Sequence, residues 1–245
     1  MATRAAPRAR FTGERRFYTG MALAMALIVF IGFAPTYYLA PWNPALQPLR
    51  PIVHLHGAFC TAWILLLVAQ ALLIGFRRPD IHKLLGGAGL AVAAGILITG
   101  IVVALTAQRR VHTDLTAGTM ADPYVFLVYP MFAIGLFAAF AIAGLLNRRR
   151  PEVHKRLMLL ATMSLTVPAL ARIVARSVPG MPGVWGALPL INLFLIALAV
   201  HDLRTRGRLH SATIWGGGIL LLSEPLRVAI GFSAPWQAFA GMLMA

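Results

Sequence analysis

The chain is short of acid, lysine and cysteine, and each shortage excludes something. Its 245 residues hold 7 Asp+Glu against 22 Lys+Arg, a net charge of +15. Charged residues make up 12% and hydrophobic residues 59%, whereas a soluble domain is about a quarter charged and about half apolar. A disordered chain needs low hydrophobicity, so that class is out as well. The single cysteine, Cys60, lies in an apolar run and allows no internal disulfide; it reads as packing. The only two lysines, Lys83 and Lys155, flank apolar runs, so neither can carry a retinal Schiff base deep in a helix. Walker A, His-Glu-x-x-His, Gly-x-Ser-x-Gly and Cys-x-x-Cys-His motifs are all absent. That removes P-loop nucleotide chemistry, zinc peptidase, serine hydrolase and covalent c-type haem.

What is present is apolar length. Runs longer than about 18 residues recur along the chain, each enough for a transmembrane helix. The sequence predicts an all-α membrane bundle of seven spans: Tyr18–Ala40, Ile52–Phe76, Leu84–Thr106, Pro123–Leu146, Arg156–Ser177, Val184–Leu203 and Ala212–Phe232. Residues 1–17 read as a basic cytoplasmic tail, 18–233 as the bundle, and 234–245 as a short segment on the outer face. The first run is too long for a signal-peptide core and is expected to remain as an anchor.

Seven spans put 16 of the 22 basic residues on one side, in the tail and in the turns after spans two, four and six. By the positive-inside rule the N-terminus is cytoplasmic and the C-terminus outside. Trp42, Trp185 and Trp236 then fall at outer edges and Trp215 near an inner one, as interfacial aromatics do. The excess of base is therefore read as orientation, not nucleic-acid binding. The tail is also acid-poor, like an organellar transit peptide. Its agreement with the charge bias of the whole chain favours a bacterial inner membrane, with a periplasmic C-terminus. The expected partners are the lipid bilayer and other subunits of a membrane complex.

Two turns are nearly the same text. Arg77-Arg78-Pro79-Asp80-Ile81-His82-Lys83 recurs as Arg149-Arg150-Pro151-Glu152-Val153-His154-Lys155, with a faint third copy at Arg206-Gly207-Arg208-Leu209-His210. The fold is thus expected to be one leading helix and three helical hairpins. Proline opens a helix without wasting an N–H, and an acid in the first turn suits the positive helix end. Span three carries Gly87, Ala91, Gly95 and Thr99 at four-residue spacing, a small-residue ridge for close packing.

Two sets of residues could carry chemistry. A haem b site needs histidines on different helices at one depth; His82 and His154 fit in kind, and His201 is a further candidate. The other set is the outer third: His54 and His56 on span two, Arg172 and Arg176 on span five, Glu224 and Arg227 on span seven. Ionisable groups at such depths cost about 2.5–3.5 kcal/mol each unless they face partners or a wet cavity. Contact is expected between Glu224 and Arg227 or Arg172, with His54 or His56 lining the same space. His54 and His56 are two apart and point to different helix faces. A structural ion pair and a ligand site both fit. A metal reading would draw on His54, His56, His112, Asp114 and Asp122, though that spacing specifies no known site.

His54-Leu55-His56-Gly57, Trp63, Gln70, His82-Lys83-Leu84-Leu85-Gly86, His154-Lys155-Arg156-Leu157-Met158 and Ser223-Glu224-Pro225-Leu226-Arg227 together resemble a widespread group of bacterial multi-pass membrane proteins with no established activity. The resemblance covers most of the chain from span two onward. The His154–Met158 string is also similar to a short motif in small membrane proteins that assist haem–copper oxidase assembly. That similarity implies haem or redox association and assigns no residue a role. The functional expectation is a membrane protein binding haem, quinone or lipid in a redox-associated setting. The alternatives are a non-catalytic accessory subunit of a respiratory or photosynthetic complex, and a transporter or membrane enzyme. The second two are separated from the first by whether a cofactor is bound.

Overall fold

The computed structural model describes residues 7–44, 46, 48–111 and 122–244. Among these the chain forms eight α-helices: α1 Pro7–Phe33, α2 Pro51–Gly75, α3 Pro79–Val111, α4 Pro123–Leu146, α5 Pro151–Ser177, α6 Gly183–Arg206, α7 Ser211–Gly231 and α8 Ala234–Met244. The first seven contain segments long and apolar enough to cross a bilayer. The protein is an all-α, polytopic membrane bundle.

Several helices begin before the predicted spans. α3 starts at Pro79 instead of Leu84, and α5 at Pro151 instead of Arg156. Each proline is the first helical residue, followed at once by Asp80 or Glu152. Apolar length marks where lipid begins, whereas proline and acid mark where the helix begins. α1 likewise starts inside the predicted tail, at Pro7. α8 was expected only as a short segment. Its 11 residues span about 16 Å, too little to cross. It is held on α4 by the Trp236 Nε1–H, which donates to the Tyr124 carbonyl at 2.8 Å.

α5 is the central helix, touching α1, α4, α6 and α7. Its apolar stretch is 67% buried, against 11% for that of α2. This is why α5 can carry buried Thr162, Ser164 and Thr166. Their hydroxyls donate back to carbonyls one turn earlier, at 2.7–2.9 Å, so none is left bare in the membrane interior. Thr162 also accepts from the Trp63 indole at 3.2 Å, which ties α2 to the core. α1 crosses α5 closely at Gly32, where an added Cβ would lie 2.6 Å from the Ala169 carbonyl oxygen.

Two hairpins, α2–α3 and α4–α5, pack along their lengths. The third differs from expectation: α6 packs chiefly on α5, and α7 chiefly on α4. Gly207, at φ 73°, caps α6 in the left-handed conformation and turns the chain away. The small-residue ridge of α3 is also only half used. Gly95 lies against the Phe59 ring and Thr99 is buried, but Gly87 has open space beside it and Ala91 is exposed.

Candidate functional site

The repeated turns place His82 and His154 each at the fourth residue of its helix, α3 and α5. Their imidazole centres lie 6.3 Å apart with the ring planes at 89°. The His154 Nδ1–H donates to the Gly144 carbonyl at 2.8 Å, since a carbonyl can only accept. That bond fixes the ring orientation and, in the neutral ring, leaves Nε2 aprotic. The Nδ1 of His82 is buried and has no partner. Gln70 reaches over from α2, its amide donating to the His82 carbonyl at 3.1 Å, while its own carbonyl oxygen is buried and unbonded.

His201 stands apart from this pair. It stacks on Phe17 of α1, with ring centres 3.9 Å apart and planes at 5°, and meets Tyr18 edge-on. Its Nε2 and the Tyr18 hydroxyl are both buried without partners. The ring contacts of His201, the further haem-ligand candidate, are thus with α1.

The same end of the bundle holds a charge network that the sequence reading missed. Arg156, the first residue of the predicted fifth span, is fully buried and pairs with Asp202, also fully buried. Its Nε–H donates to Asp202 Oδ1 at 3.0 Å, and Nη1 donates to the Glu152 carboxylate at 2.9 Å and carbonyl at 2.7 Å. Asp202 also accepts from the Thr213 hydroxyl at 2.6 Å and the His210 N–H at 3.1 Å. Glu152 accepts further from Lys155 and Arg206, and Lys155 from there reaches Glu14 on α1. The network joins α1, α5, α6 and the start of α7. His210, in the turn before α7, accepts the Ala212 N–H on its Nδ1 at 3.0 Å and so caps that helix. Its burial, with the Arg156 and Arg206 charges beside it, holds the imidazole below its ordinary range.

At the opposite end, the predicted outer set is dispersed. Arg172 faces α1, its guanidinium 4.3 Å from the Phe33 ring centre and donating to the Pro168 carbonyl at 3.1 Å. Arg176 donates to the Gly32 and Ile31 carbonyls at 3.2 Å, at the end of α1. His54 is exposed beside Tyr37, whose hydroxyl donates to the His54 carbonyl. His56 faces α3. Thr99 spends its hydroxyl proton on the Gly95 carbonyl, so His56 Nδ1–H must donate to Thr99 Oγ1, at 3.0 Å. Nε2 then accepts from the Cys60 thiol at 3.4 Å. Both ring nitrogens of His56 are thus engaged within the bundle.

Arg172 and Arg176 share the end of α1, while Glu224 and Arg227 line one small cavity between α5, α6 and α7. The expected ion contact is not formed. Glu224 instead accepts from the Asn192 amide at 3.0 Å, and Arg227 donates to Ser223 Oγ at 2.9 Å. Asn192 gave no sequence signal beyond being an amide in an apolar helix. For the metal reading, His112 and Asp114 lie outside the described residues. Among the described residues no group of three or more His, Cys, Asp or Glu could hold a metal ion. No family model, curated relative or solved structure matches the chain.

Proposed function

We propose that this protein is a bacterial inner-membrane, redox-associated protein that holds a haem b-type cofactor between His82 and His154, its N-terminus cytoplasmic. The observation that carries the reading is the edge-on approach of two repeat-related imidazoles. His82 and His154 would hold the cofactor's metal through their ring nitrogens. Their ring centres are 6.3 Å apart. The His154 Nδ1–Gly144 bond is the kind of carbonyl contact that orients a metal-ligating histidine. The buried, unpartnered Nδ1 of His82 is polar capacity that the protein itself does not use. The similarity of the His154–Met158 string to oxidase-assembly proteins points the same way. A haem held there supplies one-electron chemistry. The protein's part is to present the two imidazoles, fix one through Gly144, and place them at the end of the bundle where the basic turns cluster.

The test is a titration of the purified, cofactor-free chain with haem b, followed by visible absorption. A saturable Soret change at one haem per chain is expected, lost in both His82→Ala and His154→Ala. An unaltered titration in the double variant would remove the pair from the account.

A further inference from the structure

Arg172 and Arg176 lie one turn apart on α5, at the end away from the basic turns, so the positive-inside bias does not explain them. Both reach the same turn of α1. The Arg172 guanidinium rests on the Phe33 ring, 4.3 Å from its centre, and Arg176 donates to the Gly32 and Ile31 carbonyls at 3.2 Å. Arg176 has a local reason to be there. Pro35 stands four residues after Ile31 and has no N–H to give the Ile31 carbonyl, and the helix widens to a π-helix over Ala34–Tyr38. Arg176 supplies the missing donor.

Arg172 has no such duty. Its one hydrogen bond within the described residues runs from Nη1 to the Pro168 carbonyl of its own helix, at 3.1 Å. The donors on Nε and Nη2 are left over, and both arginines are exposed at the bundle surface. Among the described residues, no carboxylate lies within ion-pair distance of either. Glu224, at similar depth by residue count, is bonded to Asn192 on α6. Two like charges within Coulombic reach of each other thus meet at one turn of α1, with no counter-ion from the chain. At the edge of an apolar bundle such a pair calls for an anion.

Depth and shape select the anion. α5 ends at Ser177, which puts Arg176 at the interface. Arg172 lies about 7.5 Å below the helix end, at 1.5 Å per residue, and its long stem carries the guanidinium back toward the headgroups. Guanidinium N–H groups match phosphate oxygens in pairs, and lipid phosphates lie at that level.

We propose that Arg172 and Arg176 form a binding site for the phosphate of an anionic phospholipid, seated against the Ile31–Phe33 turn of α1. A zwitterionic lipid brings its own cation beside the phosphate and binds less well. Free phosphate shares the chemistry but not the depth. The site lies at the opposite end of α5 from His154, so it stands or falls independently of cofactor binding there.

The experiment is native mass spectrometry of the full chain in a neutral detergent, titrated with phosphatidylglycerol, phosphatidylcholine or inorganic phosphate. Basic turns also attract anionic lipid, so the readout is the tightest-bound lipid, and Arg149→Gln, in a basic turn, is the control. Phosphatidylglycerol should bind more tightly than phosphatidylcholine. Arg172→Gln should weaken it about 10-fold, the effect of one charge-assisted hydrogen bond. That variant spares the Arg176 bonds to α1, and thermal unfolding checks that the fold is kept. Arg172→Lys, which keeps the charge without the paired N–H groups, should lose part of that factor. Arg149→Gln should bind like wild type. The proposal is overturned if either Arg172 variant binds phosphatidylglycerol like wild type, if Arg149→Gln loses as much as Arg172→Gln, or if phosphatidylcholine binds equally well. Displacement of the lipid by millimolar inorganic phosphate would make free phosphate the ligand and also overturn it.

Discussion

Replacing Asp202 by Ala should destabilise the bundle strongly. Asp202 is fully buried and accepts from Arg156, Thr213 and the His210 backbone, on three different segments of the chain. Its removal strands a fully buried guanidinium. Breaking a buried pair in this way costs about 3–5 kcal/mol. Arg156 keeps two contacts to Glu152 in the variant, which places the expected loss near the lower figure, ~3 kcal/mol. For a chain of this size that corresponds to a fall in Tm of roughly 6–12 °C. Asp202→Asn should cost nearly as much, because its amide would turn donors toward donors. Removing both charges, with Arg156→Met and Asp202→Leu, should recover part of the loss, since the unpaired charge is then gone. The assay is thermal unfolding in a fixed detergent, with unfolding in graded denaturant as a second probe. A Tm for Asp202→Ala within 2 °C of wild type would refute the reasoning.

Two further predictions follow from the same end of the bundle. His210 caps α7 through an unprotonated Nδ1, and its surroundings hold it below its ordinary range despite the nearby Asp202 and Glu152 carboxylates. The unfolded chain therefore takes up the proton first, so stability is steady above about pH 6.5. It falls as pH drops below that, by about 0.5–2 kcal/mol for the cap. His210→Asn, which keeps a capping oxygen, should flatten that slope in pH-dependent thermal unfolding. The basic turns predict that an alkaline phosphatase fused after Ala245 is active and a cytoplasmic reporter there is not; the opposite pattern would invert the assigned orientation.

Position along each helix was legible in the sequence; rotation about its axis was not. Arg172 and Glu224 lie at similar depth by residue count, yet Arg172 meets α1 and Glu224 meets α6. Several helices are apolar around most of their circumference, so no polar stripe marks which side meets which neighbour. The pairing of His82 with His154 was legible because a repeated text implies a repeated geometry. The Arg156–Asp202 pair was not, because its partners are 46 residues apart and Arg156 stands among turn residues that look like interfacial anchors. The signal was the scarcity of acid. With only 7 Asp+Glu in the chain, a carboxylate such as Asp202 at the end of an apolar helix calls for a cation, and Arg156 at the start of span five is among those at matching depth.

The central claim is that His82 and His154 hold one haem. Its most direct test is the visible spectrum of the protein purified from cells supplied with haem precursor, oxidised and then reduced. The account predicts a Soret band with a reducible b-type signature in the wild type, and its loss from both His82→Ala and His154→Ala with the fold retained. A wild-type protein without a Soret band, or one whose band survives both substitutions, would contradict it.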